Sequence, residues 1–427
     1  MTNEVNPVEL VTINQNLKIQ KNGEAATNIE VVRFTFDRTG ETCGFNLIAQ
    51  IGLYEIGDKA IFIQPDYCVP NTELFSEFIA PGGEPKRTRL GTNNRIKSSK
   101  FTFSFEDDIQ PIWSFGILLS FQLVESYLIN KGINIGDCNL TEALEIVKYE
   151  EPEPSTQSNG LIQGDFPYWM YKTDEIMYQN IVNHIKMVIE RGEPLGLSLK
   201  VDGSSLTVAF KKINGELKPF VCSRMFLKKL NPTVVSHYVD NEFKPYRKHF
   251  ADNTRGWLCE ETGDFRTNDN VSDLTPIEIA YKDSWVDISK SSGLLDKGYQ
   301  YCLDNDLELA FRAEIYGKGL KGSGNKHNPH SKKEQGLILF GLDDVSGPNA
   351  IRLNGYDLWN VAKDLNLPVV PTTVITPHSY EDLCNTVQLM FDEHKKNGEI
   401  IEGIVVRTME TNNLSCKFIN PEYDAKR

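Results

Sequence analysis

One short run of the chain could carry covalent chemistry: Leu197-Ser-Leu-Lys200-Val-Asp202-Gly203-Ser-Ser205. In a strand, alternate side chains share a face, so Leu197, Leu199 and Val201 point one way and Lys200 and Asp202 the other. A lysine nucleophile is one reading. Its amine must be neutral to attack, whereas free lysine titrates near ~10.4. Partial burial and a nearby cation or metal ion would lower that value and activate the amine. A surface lysine beside a hairpin turn is the other reading, and this run taken alone leaves both open.

Other local patterns carry less. Gly317-Lys-Gly319-Leu-Lys-Gly322 matches Gly-x-Gly-x-x-Gly, with Asp343 and Asp344 further on as a dinucleotide fingerprint would have them. The residues that follow, Ser-Gly-Asn-Lys-His-Asn-Pro-His, cannot open the helix such a site requires. His327 and His330 flank a proline with no cysteine or acid nearby, which suits polar loop histidines better than a metal pair.

The remaining motifs decide between the readings, because they occur in a fixed order. Val221-Cys-Ser-Arg224, Phe311-Arg-Ala-Glu314-Ile-Tyr-Gly317, Leu337-Ile-Leu-Phe340, Ile401-Glu402-Gly-Ile-Val-Val-Arg407 and Leu414-Ser-Cys-Lys417 follow the lysine run. Together with Lys-x-Asp-Gly, this series resembles the nucleotidyl-transfer motifs of ATP-dependent DNA and RNA ligases and mRNA-capping enzymes. The lead-in Phe166-Pro-Tyr-Trp-Met-Tyr-Lys172-Thr-Asp174-Glu175 resembles that of RNA ligases that seal nicks. Upstream, Gly57-Asp-Lys-Ala-Ile-Phe-Ile-Gln-Pro-Asp66, Arg95-Ile-Lys97-Ser-Ser-Lys100 and Ser114-Phe-Gly116 resemble the oligonucleotide-binding (OB) domain that precedes the catalytic domain in one branch of these ligases.

The resemblance implies roles. Lys200 would attack the α-phosphate of ATP, forming lysyl-AMP. AMP would then pass to a 5′-phosphate end, and a 3′-hydroxyl would displace it to close a phosphodiester. Lys172, Leu199, Arg224, Glu314, Phe340 and Lys417 would contact the nucleotide, Phe340 by stacking on the purine. Glu402 and Glu314 would hold Mg²⁺ or Mn²⁺. The implied partner is RNA or an RNA-containing nicked duplex, bound by a monomer. Four positions depart from the pattern: Met225 replaces an asparagine, Met177 an arginine, Leu199 a glutamate and Ser415 a second lysine. A DNA ligase, a capping guanylyltransferase, or a binding protein with a degenerate nucleotide site are the alternatives.

These residues need elements to position them. The 427-residue chain carries 40% apolar and 24% charged residues, enough for real cores and unlike a disordered chain. Its length suggests two or three domains. Acidic residues, prolines and small polar residues at 149–160 read as an interdomain linker. The expected organisation is α+β: an OB-like β-barrel domain at 1–148, a linker at 149–164, and a nucleotidyltransferase domain with antiparallel sheets at 165–427. Strands are expected at 31–36, 44–51, 59–64, 101–105 and 117–121, then at 196–200, 206–211, 307–315, 337–342 and 403–408. A helix is expected from 174 to 190, and 231–295 carry no readable pattern.

Eight cysteines stand singly, without any Cys-x-x-Cys pair, which favours buried thiols in a reducing intracellular compartment, the cytoplasm by expectation. No apolar run nears the ~18 residues of a membrane span. By itself the net charge of −14 counts against nucleic-acid binding, but charge acts locally. Residues 84–100 hold six bases and one acid, and Arg87, Arg89, Arg95, Lys97 and Lys100 are expected to face a nucleic-acid backbone.

Overall fold

The computed structural model describes residues 6–80, 82–86, 89–105, 110–150, 161–251, 254–320 and 328–426. It is a mixed α+β structure built almost wholly from antiparallel sheets. The N-terminal half contains strands β1 (Val8–Leu17), β2 (Ile29–Phe36), β3 (Leu47–Gln50), β4 (Lys59–Ile63) and β5 (Ile117–Ser120), followed by helix α1 (Phe121–Asn130). They form one antiparallel sheet in the order β5-β4-β1-β2-β3. Strand β4 reads as an unbroken apolar run because both of its faces are covered. Ala60 and Phe62 join an aromatic cluster with Phe34, Phe36 and Phe45, whereas Ile61 and Ile63 pack with Val124 and Leu128 of α1.

The second half opens with β6 (Ile162–Asp165), a two-residue strand β7 (Ile176–Met177), helix α2 (Val182–Glu190), and strands β8 (Leu195–Lys200), β9 (Ser204–Ile213), β10 (Glu216–Cys222) and β11 (Phe226–Lys228). Five further strands follow: β12 (Thr233–Val239), β13 (Pro245–Ala251), β14 (Thr254–Cys259), β15 (Phe265–Thr267) and β16 (Thr275–Ala280). The chain then forms α3 (Ser284–Ser291), α4 (Leu294–Asp304), β17 (Leu309–Tyr316), β18 (Gly336–Asp344), β19 (Ile351–Arg352), α5 (Gly355–Asp364), β20 (Thr372–Ile375), α6 (Tyr380–Lys396), β21 (Gly403–Thr408), β22 (Ser415–Ile419) and α7 (Pro421–Lys426).

Two sheets make the body of the second half. A seven-stranded sheet runs β6-β11-β10-β9-β17-β18-β19, and a five-stranded one runs β7-β22-β21-β8-β20. The first packs Phe210, Phe311 and Leu339 against α3, α4 and α5. The second packs Leu195, Leu197, Ile404 and Val406 against α2 and α6. Their apolar faces are buried by helices on the outside, which leaves the polar ends of β8, β17, β18, β21 and β22 to meet between the sheets.

The strand expected at 101–105 forms instead at Ser99–Phe101, and two further expectations change. The helix forms only from Val182, because Asp174 and Glu175 are drawn into ion pairs with Lys417, Lys148 and Arg407 and stay extended. The unpatterned stretch holds a complete antiparallel sheet, ordered β15-β14-β13-β12-β16. Its outer strand β16 is exposed at every residue, so it lacks the alternation that marks a half-buried strand. The expected linker lies mostly outside the described residues, as do Arg87 and His327. All eight cysteines are free thiols. Among the described residues, no helix is long and apolar enough to cross a membrane.

Candidate active site

Lys200 ends β8, paired with Gly403 of β21, and this register sets the preceding Glu402 beside it. The Lys200 Nζ lies 2.8 Å from Glu402 Oε1. A Cβ on Gly403 would sit 2.4 Å from the Phe418 carbonyl oxygen, so only glycine lets β21 approach β22 this closely. Gly203 is required for the same reason: its Cβ would meet the Ile315 carbonyl oxygen at 2.3 Å. That contact brings the turn after Lys200 against β17, where Ser205 pairs with Glu314.

Glu314 is thus the second carboxylate near the lysine. Burial pushes its carboxyl up to about 8; the Lys200 ammonium opposes this, and Glu402 and Asp202 reinforce it. Burial also acts on Lys200, pulling it down, yet Glu402 beside it, with Glu314 and Asp202, outweighs burial and raises its titration above the ordinary lysine value. This reverses the lowering expected from the sequence. The charged groups acting on the amine are acids, and they favour its ammonium form. Asp202 accepts a hydrogen bond from the Tyr423 hydroxyl, and its backbone carbonyl accepts one from Asn328 Nδ2 at 2.7 Å.

These groups line a cavity of about 340 Å³ with Leu199, Arg224, Phe340, Arg407 and Lys417. Phe340 reaches it through a β-bulge: Arg312 pairs with Gly341 and Ala313 with Leu339, leaving Phe340 as the extra residue of β18. The Arg407 guanidinium sits 5.8 Å from the Phe340 ring centroid and donates to the Phe340 carbonyl. Arg407 also donates to Ser415 Oγ at 2.9 Å and to Glu175 Oε1, and the Ser415 hydroxyl donates to Glu175. Ser415, read as a departure, is therefore a working part of this network. Burial alone would raise the Glu175 carboxyl, but Arg407 and Arg352 outweigh it and hold it down at about 2.

Lys417 Nζ donates to Asp174 Oδ1 at 2.8 Å, and Lys148 Nζ lies 2.9 Å from the other carboxylate oxygen. Lys148 belongs to the N-terminal half, as do Asp66, Arg95 and Ser98, which also line the cavity. Arg224 donates to the Thr173 carbonyl at 3.3 Å and lies 3.5 Å from Glu150. Lys172 is exposed, its Nζ 2.9 Å from the Met225 sulfur, and is not among the residues lining the cavity.

Among the described residues, the expected nucleic-acid cations Arg89, Arg95, Lys97 and Lys100 do not form one surface. Arg95 is buried and divides its guanidinium between Asp66 and Asp424, each at 2.7 Å. Arg89 donates to the Ile48 carbonyl at 2.8 Å, and Lys97 to the Ala425 carbonyl at 3.4 Å. Lys100 is exposed, 5.7 Å from the Trp113 ring centroid. His330 is buried against Tyr316, and burial pulls its imidazole down to about 4. Sequence reasoning missed Asp174, Glu175 and Arg407 as cavity residues, although the first two belong to the lead-in motif and the third closes the Glu402 motif.

Glu402 and Glu314 fit a hard divalent cation, since both offer only oxygen. Among the described residues no group of three His, Cys, Asp or Glu side chains forms a ready cage.

Among solved structures, the chain resembles RNA ligase from Naegleria gruberi. The structure of that enzyme with PPi matches at a TM-score of 0.62 and 19% identity over 98% of both chains. A lysine-to-methionine mutant with AMP and Mn matches at 0.61 and 17%, covering 99% of this chain and 98% of that one. The two chains share a fold. No protein-family model matches the sequence, and no curated protein does.

Proposed function

We propose that the protein is an ATP-dependent RNA ligase that joins 3′-hydroxyl and 5′-phosphate ends, at nicks in a duplex. The observation carrying this reading is the Lys200–Glu402 pair at 2.8 Å inside a cavity that also presents Glu314, Arg224, Lys417 and an aromatic ring. Its support from outside is the fold shared with an RNA ligase solved with AMP, PPi and Mn.

Lys200 attacks the α-phosphorus of ATP, the bond to the β-phosphate oxygen breaks, and pyrophosphate leaves. Glu402 and Glu314 would hold the divalent cation; when bound, it favours the neutral amine and draws charge from the phosphate. Lys417 and Arg224 oppose the charge growing on the phosphoryl oxygens. Phe340 and Arg407 offer a flat surface for the purine. In the later steps AMP moves to a 5′-phosphate, and the 3′-hydroxyl displaces it. Residues 1–148 serve as an OB-like nucleic-acid domain, 149–164 as the linker and 165–427 as the adenylyltransferase, in a monomer.

Incubation with α-labelled ATP or GTP and Mg²⁺, followed by denaturation, tests this. ATP alone should leave a covalent label, and Lys200→Ala should abolish it while still sealing a pre-adenylylated strand. Label from GTP alone would indicate a capping enzyme. No label from either would indicate a binding protein with a dead nucleotide site.

A further inference from the structure

The inserted sheet β12–β16 stands beside the cavity and is polarised in charge. Its first strand leaves β11 just after Lys228, and its last strand enters α3 just before Trp285, which lines the cavity. Lys228 is buried, 4.4 Å from the Trp285 ring centroid and 3.7 Å from Asp283. The sheet's near end is therefore where Thr233 pairs with Ala280, and its far end where Val239 pairs with Thr275.

The antiparallel register fixes which residues lie at each end. Strand β13 starts at the far end, with Pro245 opposite Val239, and runs back so that Ala251 pairs with Thr254 at the near end. Phe250 pairs with Arg255 there, and Lys248 with Trp257, which places all four side chains on one face. Phe250 is 61% exposed, and Lys248 Nζ lies 5.6 Å from the Trp257 ring centroid. Lys229 and Lys282, exposed at the base, add two more cations. Among the described residues, Lys229, Lys248, Arg255 and Lys282 form no ion pair. The acids Asp240, Glu242, Glu260, Glu261 and Asp264 sit in or beside the far-end turns, where Lys244 pairs with Glu242 and Arg266 with Asp264, and Asp269 lies just past β15. Glu278, on the outer strand, is bonded to the Thr233 hydroxyl at 2.6 Å. Asp252, between β13 and β14 in the sequence, lies outside the described residues.

From this polarity we infer that the near end of the inserted sheet is a docking surface for the RNA duplex flanking the joint. The inference rests on the ligase reading for the identity of the duplex. Cations on phosphates give sequence-independent hold, and an exposed ring set among them can pack on a base or on the ribose edges of a shallow A-form groove. A nick bound in the cavity must continue as duplex past the cavity rim, and this sheet is rooted on that rim. Ile279 and Tyr281 are also exposed, on and just past the outer strand, but the four cations favour a phosphate backbone over a protein face.

The test uses the full-length protein and a fluorescein-labelled nicked RNA duplex, with anisotropy read between about 50 and 200 mM KCl. The double variant Lys248→Glu/Arg255→Glu should bind at least about tenfold more weakly, with a salt slope smaller by about two. Phe250→Ala should weaken binding at every salt concentration without changing the slope. Covalent labelling by ATP should match the unaltered protein in both. Should the charge reversal unfold the chain, Lys248→Gln/Arg255→Gln replaces it with the same expectation. Affinity within twofold and an unchanged slope overturn the docking surface. Normal ATP labelling beside that result leaves the ligase reading standing, whereas absent labelling with weakened duplex binding overturns the ligase reading and supports the surface.

Discussion

Arg95 Nη2 donates to Asp424 Oδ1 across 2.7 Å, a buried ion pair between residues 329 apart in the chain. Asp424 also accepts from the Ser98 backbone and hydroxyl, each at 2.7 Å, so helix α7 is fastened to the N-terminal half. One residue earlier, Tyr423 reaches Asp202 in the lysine run. The N-terminal half is thus tied to the turn that follows Lys200 through two adjacent residues of one short helix.

Arg95→Ala should destabilise the protein by about 3–5 kcal/mol, because it leaves a buried carboxylate without its cation. Arg95→Met combined with Asp424→Leu should recover most of that loss. Urea unfolding of the three proteins measures it; a loss below about 1 kcal/mol for Arg95→Ala would mean the pair does not hold the halves together.

The Glu175 carboxyl gives a pH dependence whose sign follows from its pKa of about 2. A carboxyl depressed by folding stabilises the native state above its unfolded pKa, and loses that contribution as pH falls through the folded value. Glu175→Gln should therefore be less stable than the unaltered chain at pH 7, with the difference shrinking between roughly pH 4.5 and 2. Denaturant midpoints across that range decide it, and a constant difference would place the coupling elsewhere.

Gly203→Ala directs a methyl group at the Ile315 carbonyl oxygen. The turn has to withdraw from β17, carrying Lys200 away from Glu314. Stability should fall by about 1–3 kcal/mol, while the rate of lysine labelling falls about a hundredfold, as expected for a displacement near ~1 Å. An alanine variant that labels at the original rate would show that the close approach is irrelevant to the chemistry.

Strand identity at the nick is a further prediction of the ligase reading. A 2′-hydroxyl favours A-form geometry and offers both a donor and an acceptor, so RNA on the 3′-hydroxyl side should be sealed much faster than DNA there. The 5′-phosphate side should tolerate DNA, since charge holds a phosphate whatever its sugar. Four nicks differing only in those two strands separate the effects, and equal rates on the 3′-hydroxyl side would favour a DNA ligase.

What the sequence revealed depended on how local the cause was. Strand β21 was legible to the residue because Ile404–Val406 is a β-branched apolar run at the centre of a strand buried at every residue but Arg407. The lysine, both glutamates and Phe340 were legible as ordered motifs. Asp174 and Glu175 looked helical because their neighbours continue a helical spacing, and only the distant Lys417 and Arg407 hold them extended. Arg95 and Lys97 looked like phosphate contacts in a basic run, but their partners Asp424 and Ala425 lie at the opposite end of the chain. No window of sequence holds that information. The inserted sheet escaped notice because its own core is small, built on Tyr246, Trp257, Cys259 and Leu274.

The bulge at Phe340 makes one part of the cavity depend on counting. The ring points where it does because β18 carries one residue more than β17 across the site. Exchanging Phe340 for tyrosine or tryptophan leaves that surplus intact, so sequence drift at this position is tolerable so long as a flat ring remains. Removing a single residue between Leu337 and Gly341 would restore the even pairing and swing the ring out of the cavity, although every charged group stayed in place. Over evolutionary time, this strand can change its letters more freely than its length.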